Sequence, residues 1–205
     1  MIVEFAAGPL RGASRLPGTP ERQIERARFW LDPASALTTV HWGRNYLYRS
    51  PGLPGDPLAE VVVKQYCWSR SLGRLWVRFR KDRAARSFKI ACALETAGIL
   101  TPRALLWATH LERGVSIFVS EWLEGWLELR YPLRARNDGQ EAEAFPGLDF
   151  EALFLAVAQL ARQLHDAGFW FRDFSVGNIL LSPGWLDPAK GSPRLALVDL
   201  ARCRQ

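Results

Sequence analysis

A short polar loop set between two apolar elements constrains this chain more than any other feature. Phe171-Arg172-Asp173-Phe174-Ser175-Val176-Gly177-Asn178 follows an apolar helical run that closes at Gly168 and leads into Ile179-Leu180-Leu181, which reads as a strand. A second apolar strand, Leu195-Ala196-Leu197-Val198, then delivers a further carboxylate, Asp199. A carboxylate base, an amide and a second carboxylate on consecutive turns are what phosphoryl transfer needs. One accepts the attacking hydroxyl's proton, and the other two hold magnesium against the phosphates. The same residues would also make an ordinary polar turn, since Asp and Asn are good turn formers. What favours chemistry is an earlier strand, Ala59-Glu60-Val61-Val62-Val63-Lys64-Gln65-Tyr66, whose lysine follows three valines. A lysine closing an edge strand is usually solvated, but in this order a phosphate contact is the better reading.

Size and composition set the outer bounds. With 205 residues, 48% hydrophobic and 12% aromatic, the chain is ample for one core or two small lobes. No apolar run reaches membrane-span length, and Met1 to Leu10 does not read as a secretory leader. Cys67, Cys92 and Cys203 lack a C-x-x-C spacing and leave one unpaired, which fits a reducing cytoplasm. His41, His110 and His165 are isolated and suggest no metal constellation. A net charge of +6, mostly from arginine, calls for an anionic partner: nucleotide, phosphorylated glycan, acidic lipid or nucleic acid. No recognisable reading motif accompanies the arginines, so nucleic acid is not the expected partner.

Residues 1–20, rich in Gly, Pro and small side chains, are expected to be irregular. Residues 21–31 suggest a helix through Ile24, Ala27 and Leu31, either packed on the domain or touching a membrane surface. Short strands are expected over 37–41 and 46–49, around a turn at Gly43-Arg44-Asn45 that offers only a thin phosphate loop. Residues 69–89 are strongly basic, with Arg70, Arg74, Arg78, Arg80, Lys81, Arg83, Arg86 and Lys89 against Asp82 alone. Asp82 is placed to cap a helix that stops at Gly98 and buries Ala84, Phe88, Ala91 and Leu94. Strands over 103–108 and 115–120 precede Glu121-Trp122-Leu123-Glu124-Gly125, which has the composition of a hinge. Residues 130–147 read as a polar loop. Asp149 then caps a helix over 150–167, apolar on nearly all faces and so expected at the centre of a second lobe.

Arg172-Asp173 to Asn178, followed by Asp199-Leu200-Ala201, resembles the H-R-D-x-x-x-x-N and D-F-G signatures of the protein-kinase-like superfamily. Gly98-Ile99 with Thr101-Pro102-Arg103, Leu164-His165-Asp166-Ala167-Gly168, Gly177-Asn178-Ile179-Leu180-Leu181 and Val198-Asp199-Leu200-Ala201-Arg202 are similar to its lipopolysaccharide core kinase branch, the Kdo/WaaP family. The resemblance implies an α+β, two-lobed protein-kinase-like fold: an N-terminal extension over 1–36, a small antiparallel-sheet N-lobe over 37–123 and a shortened helical C-lobe over 124–205. It implies transfer of the γ-phosphate of ATP, with Mg2+, to a heptose or Kdo hydroxyl of the inner core. Asp173 would be the base, Asn178 and Asp199 the metal ligands, and Lys64 the contact to the α/β phosphates. Backbone groups of Glu121 and Leu123 would hold the adenine edge, Leu180 would lie under the ring, and Gly43 would sit by the phosphates. Arg172 would be structural. The expected partner is a glycolipid or other anionic acceptor, met at the inner face of the inner membrane.

Four departures stand out. Phe171 replaces the histidine of the catalytic loop, and Leu200-Ala201 replaces Phe-Gly. The chain ends six residues past Asp199, where the family continues into further helices. Counting back eleven residues from Gly98, the position of the family's lysine-pairing glutamate holds Ser87. Glu95 lies eight residues later, roughly 12 Å along a helix, and cannot simply substitute. A kinase of a protein or small molecule, or a non-catalytic assembly factor of the same fold, are the alternatives.

Overall fold

The computed structural model describes residues 1–42, 45–56, 58–67 and 82–205. The expected turn at Gly43 and the arginines and lysine of 70–81 lie outside the described residues. The chain divides into two compact units, Met1–Cys92 with Arg103–Trp122, and Ala93–Pro102 with Leu123–Gln205.

The first unit is built on seven antiparallel strands: β1 (Val3–Ala7), β2 (Leu10–Ser14), β3 (Thr38–Trp42), β4 (Asn45–Pro51), β5 (Glu60–Cys67), β6 (Ala104–His110) and β7 (Val115–Glu121). Their order across the sheet is β1-β2-β6-β7-β5-β4-β3. Residues 1–20 are therefore not the irregular lead-in expected from their glycines. Gly8, at φ +58°, turns a hairpin in which Val3 faces Ser14 and Ala7 faces Leu10. Gly12 is where β2 needs a bare backbone, because a Cβ there would stand 2.2 Å from the Trp107 carbonyl oxygen. In this segment glycine makes the strand pairing possible rather than preventing it.

Helix α1 (Pro20–Leu31) starts at an N-cap Thr19 with proline in its first turn. It buries Ala27, Trp30 and Leu31 in one cluster with Tyr48, Val61, Val63, Leu105, Leu106, Ile117 and Val119. This is the packing alternative for the segment, and it leaves the membrane-surface alternative without an apolar face. Arg26 and Asp56, 3% and 2% exposed at their side chains, form a two-pronged pair at 2.9 and 2.6 Å that fastens the β4–β5 connection to α1. Helix α2 (Arg83–Thr96) is capped by Asp82, whose Oδ1 accepts from the Ala84 N–H at 2.9 Å. It ends where the Ile99 N–H reaches back to the Leu94 carbonyl at 2.9 Å across Gly98, at φ +73°. Its expected stripe, Ala84, Phe88, Ala91 and Leu94, is buried.

The second unit carries β8 (Leu127–Glu128), α3 (Arg130–Asn137), α4 (Glu141–Ala144), α5 (Phe150–Asp166), β9 (Trp170–Phe171), β10 (Ile179–Leu181), β11 (Leu195–Leu197) and β12 (Cys203–Arg204). Two short helices replace the polar loop expected over 130–147. Pro132 is tolerated in the first turn of α3, and it is buried with Ala135 three residues on, a stripe too sparse to stand out among the arginines. Asp149 caps α5 through the Glu151 and Ala152 N–H groups, both at 3.0 Å. The helix is not buried on all sides as its composition suggests. Phe150, Leu153, Leu160 and Leu164 form one buried stripe, whereas Phe154 and Leu155 are 46% and 60% exposed. Among the described residues no helix is long and apolar enough to cross a membrane.

Candidate active site

In the second unit, two small ladders bring the predicted base and metal ligands together. β10 pairs antiparallel with β11, Ile179 facing Leu197 and Leu181 facing Leu195. One step beyond that register, the Val198 N–H donates to the Asn178 carbonyl at 2.9 Å. Asn178 and Asp199 thus leave the same end of one hairpin. The second ladder sets Cys203 against Phe171 and Arg204 against Trp170. The loop 172–178 and the turn 199–202 are therefore each held at one end by β9–β12 and at the other by β10–β11.

Within this frame the loop is closed on itself. The Asn178 side-chain N–H donates to the Asp173 carbonyl at 2.8 Å. With its amide nitrogen so used, Asn178 keeps its amide oxygen as the atom that can meet a cation. The Asp173 carboxylate accepts from Arg202 Nη1 at 3.1 Å, in a pair whose side chains are 34% and 63% exposed. Asp199 has φ 57° and ψ 52°, the only positive φ outside glycine among the described residues. Aspartate enters this left-handed region more readily than bulky residues do, and such strain concentrates where a side chain must be aimed. The turn that follows, Leu200–Arg202, buries Leu200 and presents Arg202 back toward the loop. Thr101 fixes β11 from behind, its hydroxyl donating to the Leu197 carbonyl at 2.8 Å, while the Leu197 N–H donates to Leu100.

A second arginine reaches the same loop. The Arg130 N–H donates to the Val176 carbonyl at 3.0 Å, and its guanidinium pairs with Glu128. That guanidinium lies so close over Gly177 that a Cβ there would stand 2.0 Å from Arg130 Nη2. Glycine at 177 is what lets the arginine lie across the backbone next to Asn178. Leu180 is half-buried between the buried Ile179 and Leu181, and so faces the opposite side of β10. Leu123 accepts from the Trp126 N–H at 3.4 Å.

In the first unit, Lys64 sits on an interior strand, facing Leu47 on β4 and Phe118 on β7, and is half-buried. This differs from the solvated lysine of an edge strand. Its ammonium lies 5.8 Å from the centre of the Tyr66 ring. Ser87 is buried, and its hydroxyl is 3.2 Å from that of Tyr66. Glu121 ends β7, facing Val61, and its N–H donates to the Arg103 carbonyl at 3.1 Å. Among the described residues no group of three or more His, Cys, Asp or Glu is placed to hold a metal ion.

Sequence reasoning gave no role to Arg202, Arg130 or Tyr66. Arg202 was legible as the cation three residues past Asp199. The other two act through packing that no spacing rule announces.

A family model described as the lipopolysaccharide kinase (Kdo/WaaP) family matches residues 63–205, from the strand of Lys64 to the last residue. Among solved structures, one described as WaaP in complex with acyl carrier protein is 22% identical with a TM-score of 0.58, covering 90% of this chain and 69% of that one. At that identity the likeness establishes the fold, which is kinase-like. No curated protein matches.

Proposed function

Because the chain belongs to the lipopolysaccharide kinase (Kdo/WaaP) family, we propose that it transfers the γ-phosphate of ATP to a heptose or Kdo hydroxyl of the lipopolysaccharide inner core. Asp173 orients the acceptor hydroxyl and takes its proton as the acceptor oxygen attacks. The bond from the γ-phosphorus to the bridging oxygen breaks, and ADP leaves. Asn178, through its amide oxygen, and Asp199 would hold magnesium, which when bound neutralises charge on the phosphates. One amide and one carboxylate oxygen suit that ion, whose remaining ligands are phosphates and water. Lys64 meets the α/β phosphates. Backbone groups of Glu121 and Leu123 take the adenine edge, and Leu180 lies under the ring. The two compact units would be the two lobes. The acceptor is met at the inner face of the inner membrane, where each nearby lysine or arginine contributes about 1 kcal/mol toward acidic head groups.

The observation that carries this reading is the closed loop. The Asn178 amide locks the backbone of Asp173, and the β10–β11 register delivers Asp199 to the same hairpin end. Preorganised side chains of this kind are what positioning and electrostatic catalysis require. The test is transfer of labelled γ-phosphate from ATP, with magnesium, to core oligosaccharide. Asp173→Ala should lower kcat by about 10²–10⁴-fold. Mg-ATP at 100 times its dissociation constant should still stabilise that variant by about 2.7 kcal/mol. Retained turnover removes Asp173 from its role. Transfer to a protein or small molecule and not to the glycan overturns the acceptor, and a wild type unmoved by Mg-ATP leaves a non-catalytic assembly role.

A further inference from the structure

Strand alternation gives the sheet of the first unit two unlike faces. Val61 and Val63 of β5 turn to α1 and its core cluster, so Glu60, Val62 and Lys64 line the opposite face, where they are half-buried. Across the ladders Arg49 of β4 faces Val62, and Val62 faces Ser120 of β7. Arg49 thus shares the face of Lys64, one row nearer the end of the sheet at which β7 passes into Trp122. There its guanidinium makes two contacts at once. Nε donates to Glu60 Oε2 at 2.9 Å, and Nη2 donates to the same oxygen. Its Cζ lies over the Trp122 ring, 4.5 Å from the ring centre. Glu121 is held from the β6 side. The Arg103 N–H donates to its carboxylate at 3.1 Å, and the Glu121 N–H donates to the Arg103 carbonyl at 3.1 Å.

We propose that Arg49 is a positioning residue for the nucleotide base: by holding the Trp122 ring it fixes the backbone of Glu121 and Trp122 and so sets a preference for adenine. The inference rests on the kinase reading, in which backbone in this segment takes the adenine edge. Backbone groups discriminate between bases only while donor and acceptor stay in place, because displacing them costs the matching base and not the mismatched one. The ladder between β5 and β7 ends with Val61 facing Glu121. Beyond that pair the chain depends on side-chain contacts, and the one at Trp122 comes from Arg49. Arginine suits the task, since its N–H groups engage Glu60 while its charge meets the indole face. A lysine ammonium is a point charge and cannot serve both partners in this way. The side chains of Arg49 and Glu60 are 30% and 32% exposed, so water competes only in part for the pair that steers the guanidinium.

Two measurements on the full-length chain test this, the first without nucleotide. In labelled protein the Arg49 side-chain protons should resonate upfield through the ring current of Trp122. The shift should persist in Trp122→Phe, which keeps a ring, and vanish in Trp122→Leu. The second measurement is the ratio of Mg-ATP to Mg-GTP affinity, which loss of stability alone would not move. The wild type should prefer Mg-ATP, and the ratio should fall about fivefold in Arg49→Leu and in Trp122→Leu. The double variant should lose no more than either alone. Trp122→Phe should keep most of the ratio, and Arg49→Lys should lower it. An unshifted Arg49 signal, or a ratio unchanged in both Leu variants, overturns the proposal and leaves the kinase reading intact where Mg-ATP still binds. Equal affinity of the wild type for the two nucleotides does the same. A wild type that binds neither nucleotide removes the kinase reading, and the base role of Arg49 with it, even where the shift is seen. Should the Leu variants fail to fold, the wild-type spectrum and Arg49→Lys still decide, since an unshifted signal or an undiminished ratio overturns the proposal.

Discussion

The surroundings of Lys64 and the loop around Asp173 differ in what lies beside the charged side chain. Around Asp173 the restraint is local and polar. Asn178 is five residues away, and Arg202 is held opposite by strands of two and three residues. Beside Lys64 lies an aromatic ring on the same strand, whose hydroxyl meets that of a helix serine 21 residues on. The Arg202–Asp173 pair is exposed and the Asn178 bond is half-buried, so changing Arg202 should have little effect on folding. Tyr66 and Ser87 are buried, so a change at either should cost stability.

The sharpest way to break that contrast is acid. In the first unit, burial pushes the Asp56 carboxyl up, but the hydrogen bonds and charge of Arg26, with less from Arg22, outweigh this and hold it below the ordinary 3.8. Its folded value being depressed, the stability it contributes is complete above about pH 4 and is lost as pH falls through that lower value. Asp56→Ala, which strands a buried arginine, should cost about 3–5 kcal/mol at neutral pH and flatten the acid limb of the stability curve. Amide exchange on acidification should open α1 and the β4–β5 connection first. If the β10–β11 hairpin opened before them, the contrast would be wrong.

A smaller effect is expected from the exposed pair of the second unit. Arg202→Gln should change stability by less than about 1 kcal/mol, yet lower kcat by about tenfold or more through a misplaced base. Denaturation and turnover measured on the same sample separate the two. The smallest effect concerns Gly177. A methyl there displaces the Arg130 guanidinium, the far end of a flexible side chain. Gly177→Ala should cost about 1 kcal/mol, Arg130→Ala should cost the same, and the double variant should cost no more than either. Additive losses would show that the arginine does not rest on the loop.

How much of this was legible depends on the range of the interactions. The hairpin strands, the Asp82 and Asp149 caps and the stop at Gly98 follow from neighbours in sequence, and each appears where the residue pattern puts it. The β1–β2 hairpin was missed because its glycines serve close backbone approach, which composition reads as breakage. The exposure of Phe154 and Leu155 was missed because an apolar surface says that a helix could be buried, not which faces find neighbours.

The sequence by itself determined the order and identity of the charged residues, because short-range backbone preferences and the alternation of apolar strands are written residue by residue. Only the tertiary structure decided what holds them. The left-handed turn at Asp199, the arginines over Asp173 and Gly177 and the tyrosine beside Lys64 depend on which distant backbones come within a few ångströms, a property of the packed chain and of no segment of it.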